Sequence, residues 1–330
     1  MDPFTHAIVG ATTASLRSKN KDSVRLAVVC SIFAATFPDL DIFIRSADNP
    51  MLGLGYHRHF THSIFFVPFG AALVAGALWL VCGRKHSLKL MYIFSVFGML
   101  THGLLDAATN YGTHLFWPLT NRRESWSIIS IIDPLFTIPL LVLLILAAKT
   151  KNIRYTKIGA VFAILYLLFG FYQREQATVA MRDIAAERGE IIERYEVKPS
   201  IGNMLLWRAQ YLVNDKIVVD AFHVSPWNGK VHYEGGTLPL FRPSQDYGDI
   251  QNKDLEYFTF FSDGWVAEAP NNSGLIGDIR FANLPNELNP IWGIRLQPED
   301  KKEHVLFENV RNIKDDDFET LWNMILGRKI

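Results

Sequence analysis

Seven consecutive residues, His57-Arg58-His59-Phe60-Thr61-His62-Ser63, put three imidazoles, a guanidinium and two hydroxyls directly before an apolar run. Ten histidines spread over 330 residues would leave fewer than one in any heptad. Imidazole nitrogens and carboxylate oxygens are ligands of divalent cations, and other parts of the chain supply more of both. His102 and Asp106 are spaced i, i+4, so on a helix they share one face a turn apart. Asp39 and Asp41 lie in a Pro-Asp-Leu-Asp segment, His6 is near the start, and His114 follows the His102–Asp106 pair. Only Cys30 and Cys82 carry thiols, both in apolar segments and without CxxC spacing. A His/Asp donor set without thiolate suits Zn²⁺, Mn²⁺ or Fe²⁺ better than Cu(I). Bound there, such a cation polarises a phosphoryl or carbonyl oxygen and acidifies water, the chemistry of metal-assisted hydrolysis.

The elements that must position these groups are apolar. Residues 64–82 carry no charge and are long enough to cross a bilayer, which takes about 20 residues. The stretches 90–106, 128–147 and 158–172 are nearly as apolar, and beyond residue 173 such runs stop. Residues 3–16 and 24–38 are too short to cross alone and read as a helical hairpin entering from one side. No basic segment precedes the first apolar residues, so no cleavable signal peptide is expected. Lys and Arg concentrate in 17–25, 84–89 and 149–157, eleven in all, against four in 39–63 and 107–127. The positive-inside rule then places 39–63, 107–127 and the C-terminal half outside, facing the periplasm or cell exterior of a bacterial inner membrane. With that topology His6, Asp39, Asp41, residues 57–63, His102, Asp106 and His114 fall on one side of the membrane.

Ionisable groups inside a membrane are costly and usually face a cavity or one another. The expected metal ligands are His6, Asp39, His62, His102 and Asp106, holding one or two ions, zinc first among them. Asp39 or Asp41 is the candidate general base. Arg58, whose planar fork suits phosphate, and His59 are candidate substrate-contacting residues. His57, Thr61, His114 and Asp133 are expected to support the ligands or touch substrate. Asp133 also precedes Pro134 and fits a helix N-terminus. His86, His223, His232 and His304 read as ordinary interfacial, surface or core histidines.

Four segments together, Thr5-His6-Ala7 with Gly10, Pro38–Asp41, His57–Ser63 and His102–Thr113, resemble the bacterial membrane-bound metal-dependent hydrolase family, described as LexA-regulated inner-membrane hydrolases. The resemblance covers roughly residues 1–170 and implies a metal-dependent hydrolase without fixing its substrate. A more distant similarity is to zinc-dependent phospholipase C and the S1/P1 nucleases. It would map their ligands onto His6, Asp39, His62, His102 and Asp106. This chain lacks a second His-x-x-x-Glu or His-x-x-x-Asp helix, so the similarity implies one or two ions and not three.

The second half has a different composition. Residues 1–172 carry 15 basic and 8 acidic groups, and residues 173–330 carry 18 and 25. An acidic outward domain argues against nucleic-acid binding. A helix over 174–190 is expected to leave the membrane. Hairpins are expected over 205–224, turning at Asn214-Asp215, and over 255–270, turning at Asp263-Gly264. Later strands fall near 274–283 and 290–297, and a closing amphipathic helix near 315–326. Trp207, Trp227, Trp265 and Trp292 read as core residues. The fold class is thus an α-helical polytopic membrane domain, 1–172, followed by a soluble α+β domain with an antiparallel sheet, 173–330. That second domain is expected to cover the outward mouth of the site and select substrate. The expected function is a phospholipase- or phosphatase-like metallohydrolase acting on a lipid or lipid-linked substrate at the outer face of the membrane. Arg58 and the absence of a G-x-S-x-G nucleophile favour a phosphoester. The alternative is a non-enzymatic metal-binding sensor or a transporter, although a transporter would carry its polar groups at the midplane of repeated, broken helices.

Overall fold

A computed structural model of the chain describes residues 1–18, 21–150, 152–227, 229–243 and 246–330. Lys19, Asn20 and Lys151, which enter the basic segments used to orient the chain, lie outside the described residues. The chain divides into two compact units. One comprises Met1–Ile44 with Tyr56–Phe171, and the other Arg45–Gly55 with Tyr172–Ile330.

The first unit is helical: α1 (Pro3–Ser15), α2 (Lys21–Thr36), α4 (Val67–Val81), α5 (Leu88–Ala108), α6 (Pro134–Thr150) and the first half of α7 (Arg154–Glu187). Two 3-10 turns, Pro38–Phe43 and Phe60–His62, carry the acidic and histidine-rich segments. The 24–38 segment, expected to be too short to cross, continues through the first of these turns. The resulting span, Ser23–Phe43, is long and apolar enough to cross a membrane, as are Leu88–Ala108 and Arg154–Glu187. The expected straight span over 64–82 is instead a bent pair, Pro50–His62 with Val67–Val81, meeting at 84°. The break falls at the histidine-rich segment. Large apolar side chains line the outside of these helices. Phe69, Leu73, Leu135, Ile138, Val161 and Leu165 are all exposed, which suits a hydrocarbon surround rather than water.

Helices α1, α2 and α5 pack against one another. Gly98 makes the α2–α5 contact possible, since a Cβ there would lie 2.6 Å from the Ser31 carbonyl oxygen. Gly103, next to His102, has the same role toward the second 3-10 turn. A Cβ on it would lie 2.4 Å from the His62 carbonyl oxygen. Small residues at helix contacts are how membrane helices approach closely. Here they bring His62 up to the face of α5 that carries His102.

The second unit contains α3 (Pro50–Tyr56) up to Gly55, the remainder of α7, and two four-stranded antiparallel sheets. The first sheet is β1 (Arg194–Pro199), β2 (Leu206–Val213), β3 (Lys216–Ser225) and β4 (Gly229–Pro239), in chain order. The second is β5 (Val266–Glu268), β6 (Leu275–Asp278), β7 (Trp292–Arg295) and β8 (Leu306–Asn309). The β2–β3 hairpin turns at Asn214 and Asp215 as expected, both with positive φ, the requirement of a type I′ turn. The expected 255–270 hairpin does not form. Residues Asp249–Phe261 are a helix, α8, and only Val266–Glu268 is strand. The reason is periodicity. Gln251, Leu255, Phe258 and Phe261 are buried at helical spacing, which an aromatic-rich run hides from a strand-propensity reading. The closing helix α9 (Asp317–Ile325) is present. Trp207 and Trp265 are fully buried, and Trp292 packs beside the core of α8 and the second sheet. Trp227 is a correction to the expected core, with 80% of its surface exposed on the β3–β4 turn.

Replacing Gly103 by alanine should loosen the site without touching any side chain in it. The full-length variant is expected to stay folded, at a cost of about 1–3 kcal/mol for the overpacked contact, while binding divalent metal about tenfold more weakly. Metal titration beside a thermal melt checks this, and wild-type metal affinity in the variant would refute the role given to the glycine.

Candidate metal centre

Four side chains from three segments converge. Asp39 comes from the first 3-10 turn, His62 from the second, and His102 and Asp106 from adjacent turns of α5. One ligand atom from each lies within 4.8 Å of the others. Asp39 Oδ1 is 3.5 Å from both His62 Nε2 and His102 Nε2. Asp106 Oδ2 is 3.2 Å from His62 Nε2 and 3.5 Å from His102 Nε2. His62, His102 and Asp106 are buried, and Asp39 reaches the surface in part.

The tautomers follow from the other ring nitrogens. His102 Nδ1 meets the Ala35 carbonyl of α2. A carbonyl only accepts, so Nδ1 carries the proton and the Nε2 lone pair points at the cluster. His62 Nδ1 lies 3.0 Å from Thr61 Oγ1 and 3.2 Å from Asp41 Oδ2, and Thr61 Oγ1 donates to the same Asp41 oxygen at 3.0 Å. That chain likewise places the His62 proton on Nδ1. Both imidazoles therefore carry the carboxylate or carbonyl backing that fixes metal-binding histidines. His62 Nε2, His102 Nε2, Asp39 Oδ2 and Asp106 Oδ2 are buried without a hydrogen bond. The pairs at 3.2–3.5 Å are close but lack hydrogen-bond geometry. Leaving such atoms unmet costs about 1–3 kcal/mol each. A cation ligated by this His/Asp set resolves that cost, so the residues present fit a divalent metal.

The remaining sequence candidates fall around this group. Asp41 is not among the four. Its carboxylate accepts from His57 Nδ1 at 2.9 Å, the Arg58 backbone N–H at 2.9 Å and Thr61 Oγ1. It is thus an orienting carboxylate, fully engaged, while Asp39 is the ligand-like one. His6 lies beside the four rather than among them. Its ring stacks on His102 at 3.7 Å, and its Nε2 is 3.1 Å from Asp106 Oδ1, the oxygen turned away from the imidazoles. The Met1 amine hydrogen-bonds to that same oxygen. Arg58 is buried in a left-handed conformation, φ 63°, with its N–H held by Asp41 and its carbonyl accepting from His114 N–H. Its Nε is 3.2 Å from Asp106 Oδ2 and its Nη1 donates to Thr109 Oγ1 at 3.1 Å. Among the described residues its Nη2 meets no acceptor.

His59 turns away toward His114 and Trp117, with ring centres 4.6 and 5.4 Å apart. Burial, together with His59 and Arg123 nearby, lowers the His114 pKa to about 4 despite a backbone hydrogen bond at Asn121. His114 is thus neutral at ordinary pH. Asp133 is elsewhere. It caps α6 through the Leu135 and Phe136 N–H groups and accepts from Tyr166 on α7. Sequence reasoning missed the Ala35 carbonyl, which carries no side-chain signal. It also gave no role to Thr109, Tyr111 and Arg123, although the first two stand inside the His102–Thr113 motif. The spacing of Thr109 after Asp106 was the available clue.

A family model described as YdjM inner membrane protein matches residues 1–177, the part of the chain that holds this site. The chain therefore belongs to the YdjM inner membrane protein family. It is also 24% identical over 140 residues to the Bacillus subtilis protein named "Uncharacterized protein YfhP". That alignment covers 41% of this chain and 42% of the relative, so the chain spans less than half of the curated relative it matches. No solved structure matches the chain.

Asp41→Ala should leave the four ligand atoms in place but remove the acceptor that holds His62 Nδ1–H and the Arg58 backbone. Metal affinity is expected to fall by about 10–100-fold. Competition with a chromogenic chelator measures it, and an unchanged affinity would show that Asp41 does not orient His62.

Proposed function

We propose that this chain, as a member of the YdjM inner membrane protein family, is a metal-dependent hydrolase of lipid or lipid-linked phosphoesters. The observation that carries the proposal is the convergence of two Nδ1-protonated imidazoles and two carboxylates whose buried atoms lack partners. Asp39, His62, His102 and Asp106 would hold the ion, zinc being the best fit and manganese or iron the next. When bound, a divalent ion supplies Lewis-acid chemistry at a phosphoryl oxygen.

The chain's own residues supply the rest. Asp39 is the cluster carboxylate nearest the surface, and its unpartnered Oδ2 is suited to take a proton from water. Arg58, with Nε and Nη1 already fixed by Asp106 and Thr109, offers Nη2 to an anionic oxygen. That favours a phosphoester over an acyl ester. His57, Thr61 and Asp41 orient His62 and do not contact the reacting atoms.

A lipid substrate is supported by the segment that carries the acids. Within Pro38–Phe43, Asp41 is buried, while Leu40, Ile42 and Phe43 are exposed. The carboxylates thus belong to a turn whose outer surface is apolar. Such a turn suits acyl chains or membrane against it and the headgroup inside. The charge distribution along the sequence supports an outward-facing site.

Full-length wild type is expected to purify with stoichiometric divalent metal by elemental analysis, and a His102→Ala, Asp106→Ala double variant without it. Wild type, and not the double variant, should release a phosphorylated headgroup or phosphate from a phospholipid panel read by mass spectrometry. Absence of metal under every reconstitution would sink the hydrolase reading, and lysolipid as the only product would replace phosphoester with acyl ester. Orientation has its own check. With Cys30 and Cys82 replaced by serine, a cysteine in place of exposed Thr120 should react with an impermeant maleimide added outside intact cells. Labelling only after lysis would reverse the topology.

A further inference from the structure

Within the second unit, exposed apolar side chains gather at one end of the first sheet, and α7 gives that end a level. Residues 158–172 are the apolar stretch of this helix, and Gln173 is the first residue beyond it. Gln173 Nε2 donates to the Met204 carbonyl at 3.0 Å and to the Val224 carbonyl at 2.9 Å. The β1–β2 loop and the β3–β4 turn therefore leave the sheet where the apolar stretch of α7 ends.

Each element at that end presents an apolar side chain outward. Trp227 follows Pro226 in the β3–β4 turn and is almost wholly exposed, while its backbone N–H donates to Ser225 Oγ at 3.2 Å. Ile201 is half-exposed on the β1–β2 loop, where its carbonyl accepts from Asn203 Nδ2 at 3.0 Å. Helix α9 covers the same end of the sheet. Its Leu321, Met324 and Ile325 pack with Leu206, Ala221 and Tyr233, and Leu206 pairs with His223, the residue before Val224. A Cβ on Gly327, just past α9, would lie 2.9 Å from His223 Cδ2.

The other side of α9 is apolar too. Phe318, Trp322 and Leu326 recur every four residues, so they form one stripe along the helix. They are 76%, 54% and 40% exposed. One side of α9 thus completes the core, and a second apolar stripe remains uncovered, which marks an interaction surface.

Three observations select a lipid surface as its cover. The stripe and the Trp227 turn share the end of the sheet that meets Gln173, where a candidate membrane span ends its apolar run. Tryptophan is the side chain most at home at a membrane–water boundary, with an apolar ring and a polar N–H. Arg328 and Lys329 follow the stripe directly, are exposed, and form no ion pair among the described residues. Cations in that place suit headgroup phosphates. The acids of α9, Asp317 and Glu319, lie at its other end.

We propose that the second unit rests on the bilayer surface through Trp227 and the Phe318–Trp322–Leu326 stripe, with Arg328 and Lys329 against headgroup phosphates. An interfacial helix of this kind sinks its apolar side about 5–10 Å into the boundary of headgroups and acyl chains. The unit is then held to the membrane at a second place besides α7. This contact is independent of the metal chemistry proposed above and stands whether or not that reading does.

The test uses the full chain in phospholipid nanodiscs. With Cys30 and Cys82 replaced by serine, Trp322→Cys, Trp227→Cys and Lys216→Cys variants are each labelled with an environment-sensitive dye. Lys216 lies at the far end of β3, about 25 Å from Val224 at about 3.3 Å per residue. Brominated acyl chains should quench the dye at 322 and at 227 about twofold or more and leave the dye at 216 unchanged. Equal quenching at 322 and 216 would overturn the proposal. So would a dye at 322 that is shielded from iodide yet untouched by brominated lipid, since the stripe would then meet a second copy or another protein. Arg328→Glu with Lys329→Glu should cut the quenching at 322 by about half, and unchanged quenching would overturn the phosphate contact. Unmodified wild type gives a reading that needs no variant. A diazirine phospholipid should cross-link peptides holding Trp227 and Trp322 as well as residues 158–172, and adducts on 158–172 alone would refute the contact.

Discussion

The candidate metal centre depends on two protons, those on Nδ1 of His62 and Nδ1 of His102. In a low-dielectric interior an imidazole nitrogen without a partner is expensive, and which nitrogen is satisfied decides what the other can do. One ring uses a backbone carbonyl on α2. The other uses a hydroxyl and a carboxylate from the two 3-10 turns. Had either Nδ1 lacked its acceptor, that ring could turn its proton toward the cluster and oppose a cation. The two acceptors therefore do more than stabilise the fold. They aim two lone pairs at one point.

Meeting that constraint requires backbones to come unusually close. The Ala35 carbonyl reaches His102 only because α2 and α5 touch at Ser31 and Gly98, where no Cβ would fit. The His62 backbone rests on Gly103 for the same reason. Arg58 accepts a left-handed conformation, uncommon for a residue with a Cβ, because its N–H and carbonyl are both taken by long-range partners. Strain of this kind persists where surrounding contacts over-determine it. Here its effect is to send one side chain back to Asp106 and Thr109 while its neighbours serve Asp41.

The residues of the centre were legible in the sequence because polar groups in apolar surroundings stand out. His102 and Asp106 share a helix face by spacing alone, and Asp39 and His62 followed from topology. What spacing did not separate was ligand from support. Asp39 and Asp41 are two residues apart in a 3-10 turn, and only the fold shows that one faces the imidazole Nε2 atoms while the other collects N–H and O–H donors from residues 57–61. His6 has the right type and the right side, yet it spends its Nε2 on the far oxygen of Asp106. The backbone acceptor at Ala35 was invisible because every residue has a carbonyl. In the sheet unit the β2–β3 turn was read correctly from Asn214-Asp215, since a positive-φ pair has few alternatives. Residues 255–261 were misread because phenylalanine and tyrosine favour strands, while the burial pattern that decides the matter is helical.

The placement of the centre at the bend between Pro50–His62 and Val67–Val81 has a physical reason. A continuous helix would have met its own backbone groups internally and left none for its neighbours. Breaking the helix frees N–H and C=O groups at membrane depth, which is tolerable only where other polar groups receive them. The Arg58 N–H goes to Asp41, the Arg58 carbonyl to His114 N–H, and the Ile64 N–H to the Leu115 carbonyl. The cost of interrupting a span is thus met by the same residues that build the site and by the 109–124 loop that brings Tyr111 and Arg123 to it. Candidate ligands, guanidinium and loop stand or fall as one unit. For that reason the outer apolar surface of Pro38–Phe43 and the inner charges it carries are two sides of a single boundary, with apolar side chains facing out and Asp41 facing the cluster.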